Sequence, residues 1–416
     1  MKDVIAETID AILSEVNAIS LPGPGYTRPS YSPLESEAHR VIERRAGALG
    51  LTVSRDAGMN LFARLPGRDR MAPALFVGSH LDTVPMGGAY DGAAGVAGAM
   101  ALAAAFVERG ETPPVDLVVT VTRAEESTWF PVSYIGSRAA LARLKPEEFE
   151  ARRSDTGRTL AEHMRDEGGD PEAVLRGPGL APAQFVEIHI EQGPILDTAG
   201  EPFALVEAIR GGVRYRNAQI HGVWAHSGGA PREGRADAVF AFADLVTAMD
   251  RIWGGELSSG RDLAVTFGRV DAASEEHAFA KVPGELGFCV DMRSTDDAEL
   301  DRALSLFHEA CDTVARARGV HFDLGALSRS RPAVLSEGLI GRIAEGAARL
   351  GMGPRRMVSG GGHDTAAFRQ AGWEAMMVFI RNWDGSHNPR EGMNPADLAE
   401  AVRALAASWG DPQGRA

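Results

Sequence analysis

Cysteine is almost missing from this chain: Cys289 and Cys311 are the only two among 416 residues. Neither belongs to a Cys-x-x-Cys pair, so a disulfide scaffold is excluded and a reducing cytoplasm is the compartment that fits. Long apolar runs are missing as well. The longest, Gly95 to Val107, is alanine-rich, ends at Glu108 and is too short to cross a bilayer. The amino terminus sets Ile5, Ile9, Ile12, Leu13 and Val16 at helical spacing but interleaves Asp3, Glu7, Asp10 and Glu15, unlike the core of a signal peptide. A surface helix is expected there. Positive charge is in deficit, 43 Lys and Arg against 57 Asp and Glu, for a formal net charge of −14. Such a chain repels nucleic-acid phosphates and anionic membranes, which leaves a small molecule as the expected partner. The glycine-rich stretch GGAYDGAAGVAG matches neither phosphate-loop pattern. No GxSxG elbow occurs and neither cysteine sits in a histidine-bearing motif, so serine and cysteine nucleophiles are poor readings.

What is present is ample. The chain exceeds the length that one hydrophobic core fills, so two domains are expected. Apolar runs at Ala74 to Gly78, Val115 to Thr122 and Phe185 to Ile190 alternate with helical patterns, including Ala94 to Val107, and predict an α/β layer around a central mixed sheet. From Gly211 the pattern changes to a half-exposed strand, a helix at Ala236 to Trp253, strands at Leu263 to Val270 and Leu286 to Met292, and a helix at Ala298 to Arg318. This predicts a compact α+β insert. Leu339 to Leu350 reads as helix, Ala375 to Ile380 as a buried strand and Pro395 to Trp409 as a terminal helix. The expected division is therefore a discontinuous catalytic domain, 1–210 with 328–416, interrupted by a smaller domain at 211–327.

Metal-binding side chains stand at the ends of the predicted strands. His80 lies in GSHLDTVP, Asp91 in GGAYDG, Glu126 in AEES, His189 in EIHIEQGP and His387 in GSHNP. Together they read as a two-metal hydrolytic site, because one shared Asp gives each metal three protein ligands and leaves room for water. Strand ends suit metal binding, since the sheet fixes the backbone and the following loop aims the side chain. Asp82, two residues after His80, can orient its imidazole or cap a turn. Glu125 and Glu126 are adjacent at a strand end, where one can ligate while the other moves a proton.

These motifs, with the downstream GSRA, HSG followed by Pro231 and Arg235, VDMR, SGGGHD and SHNP, resemble the amidohydrolase branch of the aminoacylase-like metallopeptidases. That branch includes N-carbamoyl-L-amino-acid hydrolases, beta-ureidopropionases and allantoate amidohydrolases, and the similarity runs through essentially the whole chain. The resemblance implies that His80 and His189 serve one metal, Glu126 and His387 the other, and Asp91 both. It implies Glu125 as general acid/base and Asp82 as support for His80. It further implies that the insert is a lid and dimerisation domain of a homodimer, with His226 reaching the partner's active site. Arg293 resembles the arginine that grips the substrate carboxylate, with Gln192 and the loop containing Gly361 and His363 nearby. Of the two divalent cations implied, zinc suits the mixed His and carboxylate set best, while manganese, cobalt or nickel are admitted.

Some positions depart from that pattern. Ser127 and Trp129 replace a glycine and an arginine beside Glu126, and Ala225 and Ala280 stand where asparagines are usual in the lid. Losing amides weakens recognition of a standard carbamoyl amino acid. Trp129 and Trp383 either favour a more apolar substrate or pack in the core. The expected reaction is hydrolysis of a linear amide or ureido C–N bond by water activated between two cations, with Glu125 shuttling the proton and His226 at the oxyanion. A dipeptidase, aminoacylase or other N-deacylase is the nearest alternative, and a catalytically silent binding protein a more distant one.

Overall fold

The computed structural model describes residues 3–410, and the chain divides into two compact units. The first ends at Glu207 and resumes at Leu335; the second runs from Ala208 to Val334. The first contains β1 (Thr52–Arg55), β2 (Leu61–Leu65), β3 (Leu75–His80), β4 (Leu117–Thr122) and β5 (Gln184–Ile190), and β6 (Phe203–Ile209) leads out of it. The second contains β7 (Gly211–His221), β8 (Ala225–His226), β9 (Ala264–Asp271), β10 (Lys281–Val282), β11 (Glu285–Ser294), β12 (His321–Asp323), β13 (Leu327–Ser330) and β14 (Ala333–Val334). After it come β15 (Arg355–Ser359), β16 (Glu374–Ile380), β17 (Asn382–Trp383) and β18 (Gly392–Met393).

The large sheet is mixed, as expected, in the order β1-β2-β4-β3-β5-β16-β6-β14 with β15 also on β6. Its centre is parallel: β4, β3, β5 and β16 run the same way, and β2 and β6 flank them antiparallel. Central strands covered on both faces read as unbroken apolar runs, and β3 and β4 are buried at every position. The helix Ala93–Glu108 is buried along nearly its whole length, which its small side chains permit. The amino-terminal helix Val4–Asn17 starts at Asp3, whose carboxylate caps Ala6 N–H. Its Ile5, Ile9, Ile12, Leu13 and Val16 stripe is buried while Glu7, Asp10 and Glu15 face out. The predicted surface helix thus packs one full face inward.

The second unit is a four-stranded antiparallel path, β12-β7-β11-β9, with β13 also on β7. Helices Ala238–Ser258 and Asp297–Arg318 supply Leu245, Met249, Leu300 and Phe307 to the core that Val213, Tyr215, Phe288 and Val290 form on the sheet. Burial alternates residue by residue along β11, the signature of a sheet covered on one face. Leu327–Ser330 pairs with Gly212–Tyr215, so the stretch from 328 belongs to this small sheet through its backbone ladder. Among the described residues no helix is long and apolar enough to cross a membrane, and both cysteines are free.

Candidate metal centre

Parallel strands β3 and β5 end side by side, and each carries a histidine within its last two residues. His80 closes β3, and His189 is the penultimate residue of β5. Both imidazoles are buried, and each places Nδ1 against a backbone carbonyl, Asp82 O at 3.0 Å and Ile190 O at 2.9 Å. A proton on Nδ1 satisfies those carbonyls and leaves the Nε2 lone pairs pointing into the crevice. There they meet Asp91: His189 Nε2 lies 3.0 Å and His80 Nε2 3.5 Å from its Oδ1. Ligand atoms in tetrahedral positions at metal bonds of about 2.1 Å are roughly 3.4 Å apart. The spacing therefore fits a cation.

Asp91 reaches this position through a tight turn. Gly92 follows it at φ +66°, and a Cβ there would lie 2.6 Å from the His80 ring, so glycine alone lets the loop pass so close. The other carboxylate oxygen, Oδ2, lies 3.5 Å from His387 Nε2, which in turn is 3.4 Å from Glu126 Oε1. Three groups of side chains stand close enough to hold a cation, His80–Asp91–His189, Asp91–Glu126–His387 and Glu187–His189–His363, and the first two share Asp91. Two buried atoms in the first group, His80 Nε2 and Asp91 Oδ1, have no hydrogen-bond partner. Orphaned polar atoms so deep cost free energy unless a ligand takes them up, and an imidazole lone pair facing a carboxylate oxygen asks for a cation. The donor set is consistent with a dinuclear site.

The turn carrying Glu125 and Glu126 is held from beneath. Asp82 accepts Glu125 N–H at 3.1 Å on Oδ1 and Glu126 N–H at 3.2 Å on Oδ2, and Ser30 also donates to Oδ2. Its Oδ1 stands 3.3 Å from His80 Nδ1, so one carboxylate ties the β3 ligand to the acidic turn. Ala124, in the left-handed region at φ 51°, donates its N–H to buried Glu35 at 3.0 Å. Glu35 also accepts from Arg123 Nη1 at 3.0 Å and from Tyr31 N–H, a buried ion pair with its hydrogen bonds filled.

Electrostatically the cluster is crowded with acid. Burial pushes Glu125 well above the usual carboxylate range; His80 pulls the other way and Glu126 adds to the rise. Burial and Asp91 bring Glu126 up to about 7, and the hydrogen bond to Asp91 raises His387 to about 9. Protons bind here where cations would, and a bound divalent cation displaces them.

The sequence profile of "Peptidase family M20/M25/M40" matches residues 76–410, a span that includes all five of these candidate ligands. This chain belongs to that family. Within it the chain lies in the hydantoinase/carbamoylase amidase branch. It is 30% identical to an N-carbamoyl-L-amino-acid amidohydrolase of Paenarthrobacter aurescens over 96% of each chain. It is 31% identical to an allantoate amidohydrolase of Escherichia coli over 92% of each. A hydantoinase/carbamoylase-family amidase from Burkholderia multivorans superposes with a TM-score of 0.87 at 27% identity, covering 97% of each chain.

The other expected site residues of this M20-family chain fall in two places. Gln192, at φ 63°, donates from Nε2 to Asp91 Oδ2 at 2.8 Å, and its Oε1 lies 3.0 Å from where a Cβ on Gly361 would be. His363 is buried with its ring centroid 4.5 Å from that of His189, and burial holds it well below the ordinary imidazole value. His226 and Arg293 belong to the second unit. His226 Nδ1 accepts the N–H groups of Gly228 and Gly229 at 3.2 and 3.1 Å, which places the ring proton on Nε2. Arg293 pairs with Asp291 at 2.7 Å. Ala225 and Ala280 share one ribbon with His226: β8 pairs with β10, and Ser227 N–H donates to Ala280 O. Trp129 takes the core alternative, donating to Thr83 O and packing with Phe130, Ile135 and Met164. Trp383 is 40% exposed and lies across Gly392. Several residues that shape the site carry no motif: Glu35, Arg123 and Ser30. Only burial marks the first two, and burial of a lone charge is not written in local sequence.

Proposed function

We propose that this protein hydrolyses a linear ureido or amide C–N bond of an N-carbamoyl amino acid or a related small carboxylate, with Glu125 as general acid/base. The observation that carries the reading is the pair of ligand groups sharing Asp91, with buried Glu125 on the same turn as Glu126. Bound divalent cations, zinc suiting the donors best and manganese, cobalt or nickel also fitting, supply a water of lowered pKa and a polarised substrate carbonyl.

The chain's own groups do the rest. His80, Asp91 and His189 form one set of ligands, and Asp91, Glu126 and His387 the other. Glu125 in its ionised form takes the proton of the attacking water, and its burial favours the protonated form that then delivers that proton to the leaving nitrogen. Asp82 keeps His80 and the Glu125 turn in register. His226, a donor through Nε2, meets the oxyanion as charge develops, and in a homodimer it serves the partner's site. Arg293 receives the substrate carboxylate, and Gln192, Gly361 and His363 line the substrate side. For a carbamoyl substrate, one water and the ureido group give the free amine, ammonia and carbon dioxide.

Relatives named for carbamoyl amino acids and allantoate support the ureido class. The alanines at 225 and 280, beside His226 on one ribbon, favour a substrate whose end there is less polar. A panel of N-carbamoyl, N-acyl and dipeptide compounds, assayed on metal-loaded protein, tests the reading. Turnover of carbamoyl substrates, lost on chelation and restored by zinc, manganese or cobalt, is expected. Turnover confined to acyl or dipeptide substrates would replace it with an aminoacylase or dipeptidase, and turnover without bound metal would remove the mechanism.

A further inference from the structure

Asp91 and His387 lie almost 300 residues apart in sequence, and their loops meet at Glu391. Its side chain is buried, 6% exposed, at the foot of the loop that carries His387. That loop is closed below by β17 and β18, where Asn382 faces Met393 and Trp383 faces Gly392. Glu391 Oε1 accepts the backbone N–H of Tyr90 at 2.9 Å and of Asp91 at 3.1 Å. Its Oε2 is 2.8 Å from Ser386 Oγ, and the same Oγ is 2.5 Å from Asp91 Oδ2. One carboxylate thus holds the main chain of the shared ligand and, through a hydroxyl, its side chain. The fit is close: a Cβ on Gly88 would stand 2.1 Å from the Glu391 carboxyl.

We infer that Glu391 is a positioning residue that, with Ser386, locks the Asp91 loop to the His387 loop and so sets the Asp91–Glu126–His387 cation site. The inference rests on the two-cation reading. His387 is half exposed and sits at φ 59° in the loop that joins the β17–β18 pair, so side-chain contacts rather than a strand ladder of its own set it against Asp91. The hydroxyl of Ser386 carries a single hydrogen and cannot donate to both neighbouring carboxylates at once. A glutamine at 391 suits this arrangement. Its amide oxygen accepts the Tyr90 and Asp91 N–H groups and its amide nitrogen donates to Ser386 Oγ, freeing the hydroxyl hydrogen for Asp91.

The test is calorimetric titration of metal-stripped protein with zinc or manganese alone, alongside metal content after desalting, kcat and KM at saturating metal, and thermal melting. Glu391→Ala is expected to weaken the second cation by about 10- to 100-fold, and the first, which shares Asp91 but keeps two strand-borne histidines, by much less. Glu391→Gln is expected to restore wild-type affinity. A purely structural role would instead lower the melting temperature of the stripped protein and weaken both cations alike, with no rescue by glutamine; that result overturns the inference, as does unchanged binding in Glu391→Ala. If Glu391→Ala does not fold, Ser386→Ala and Gly88→Ala decide: selective loss of the second cation supports the clamp, and wild-type binding in both refutes it. A wild-type protein that binds no cation at all would overturn the two-cation reading and the clamp with it.

Discussion

The two ligand groups are built differently although they share Asp91. His80 and His189 stand on adjacent parallel strands, buried, with Nδ1 anchored on carbonyls of their own chain segments. Glu126 and His387 stand on loops. His387 is half exposed and adopts a left-handed backbone, and the turn before Glu126 contains another left-handed residue, Ala124. A non-glycine residue in that region costs about 1–2 kcal/mol, so surrounding contacts must hold it there. The first group is positioned by the sheet, the second by side chains: Glu35 and Asp82, distant in sequence, hold the turn of Glu126, while Ser386 and Glu391, close neighbours of His387, tie its loop to distant Asp91. Strand-borne ligands inherit their precision from backbone pairing; loop-borne ligands depend on a few buried polar groups.

The difference can be broken most severely at the chemistry itself. Glu125→Gln should retain both cations by metal analysis yet lower kcat by about 10²- to 10⁴-fold. Near-normal turnover in the metal-loaded variant would remove Glu125 from its role. Next comes the brace: Glu35→Ala leaves Arg123 buried without its partner and should cost about 3–5 kcal/mol in denaturant unfolding. A loss below about 1 kcal/mol would show that the turn does not depend on it. The contrast between the groups is sharpened by comparing His80→Ala with His387→Ala. We expect the cation left in His387→Ala to survive desalting, and the one left in His80→Ala to be lost, a difference of about tenfold or more in Kd. Equal retention would erase the distinction.

The smallest effect concerns His39, buried on the helix Pro33–Ala48 that carries Glu35, with neither ring nitrogen hydrogen-bonded. Burial, with Arg123 and Arg55 adding to it, holds its folded pKa well below the ordinary 6.5. As pH falls through 6.5 the unfolded chain takes up a proton that the folded chain refuses. Stability is then lost at up to about 1.4 kcal/mol per pH unit until the folded value is reached. His39→Leu should make the acid limb shallower by that increment in melts between pH 6.5 and 5, and an unchanged slope would contradict it.

Much of this was legible in the chain because period and chemistry coincide. The apolar runs became β3, β4, β5 and β16, the terminal helix spans Pro395–Trp409 as expected, and the five candidate ligands lie at strand ends or in the loops beyond them. The edge strand β1, its neighbour β2, the short helices between Ile135 and Arg176, and β6 were not foreseen, since their short or mixed patterns resemble loops. Trp129 shows the limit at single residues: beside a metal ligand in sequence, it points into the core.

The order of residues by itself determined which side chains could bind a cation and that they would stand at or just beyond the ends of strands. Only the tertiary structure decided which distant groups hold the rest. A carboxylate such as Glu391 looks like any surface charge until folding buries it against two N–H groups and a hydroxyl. Hydrogen bonds of this kind act over about 3 Å and carry no local periodicity, so they exist only once the backbone has closed around them.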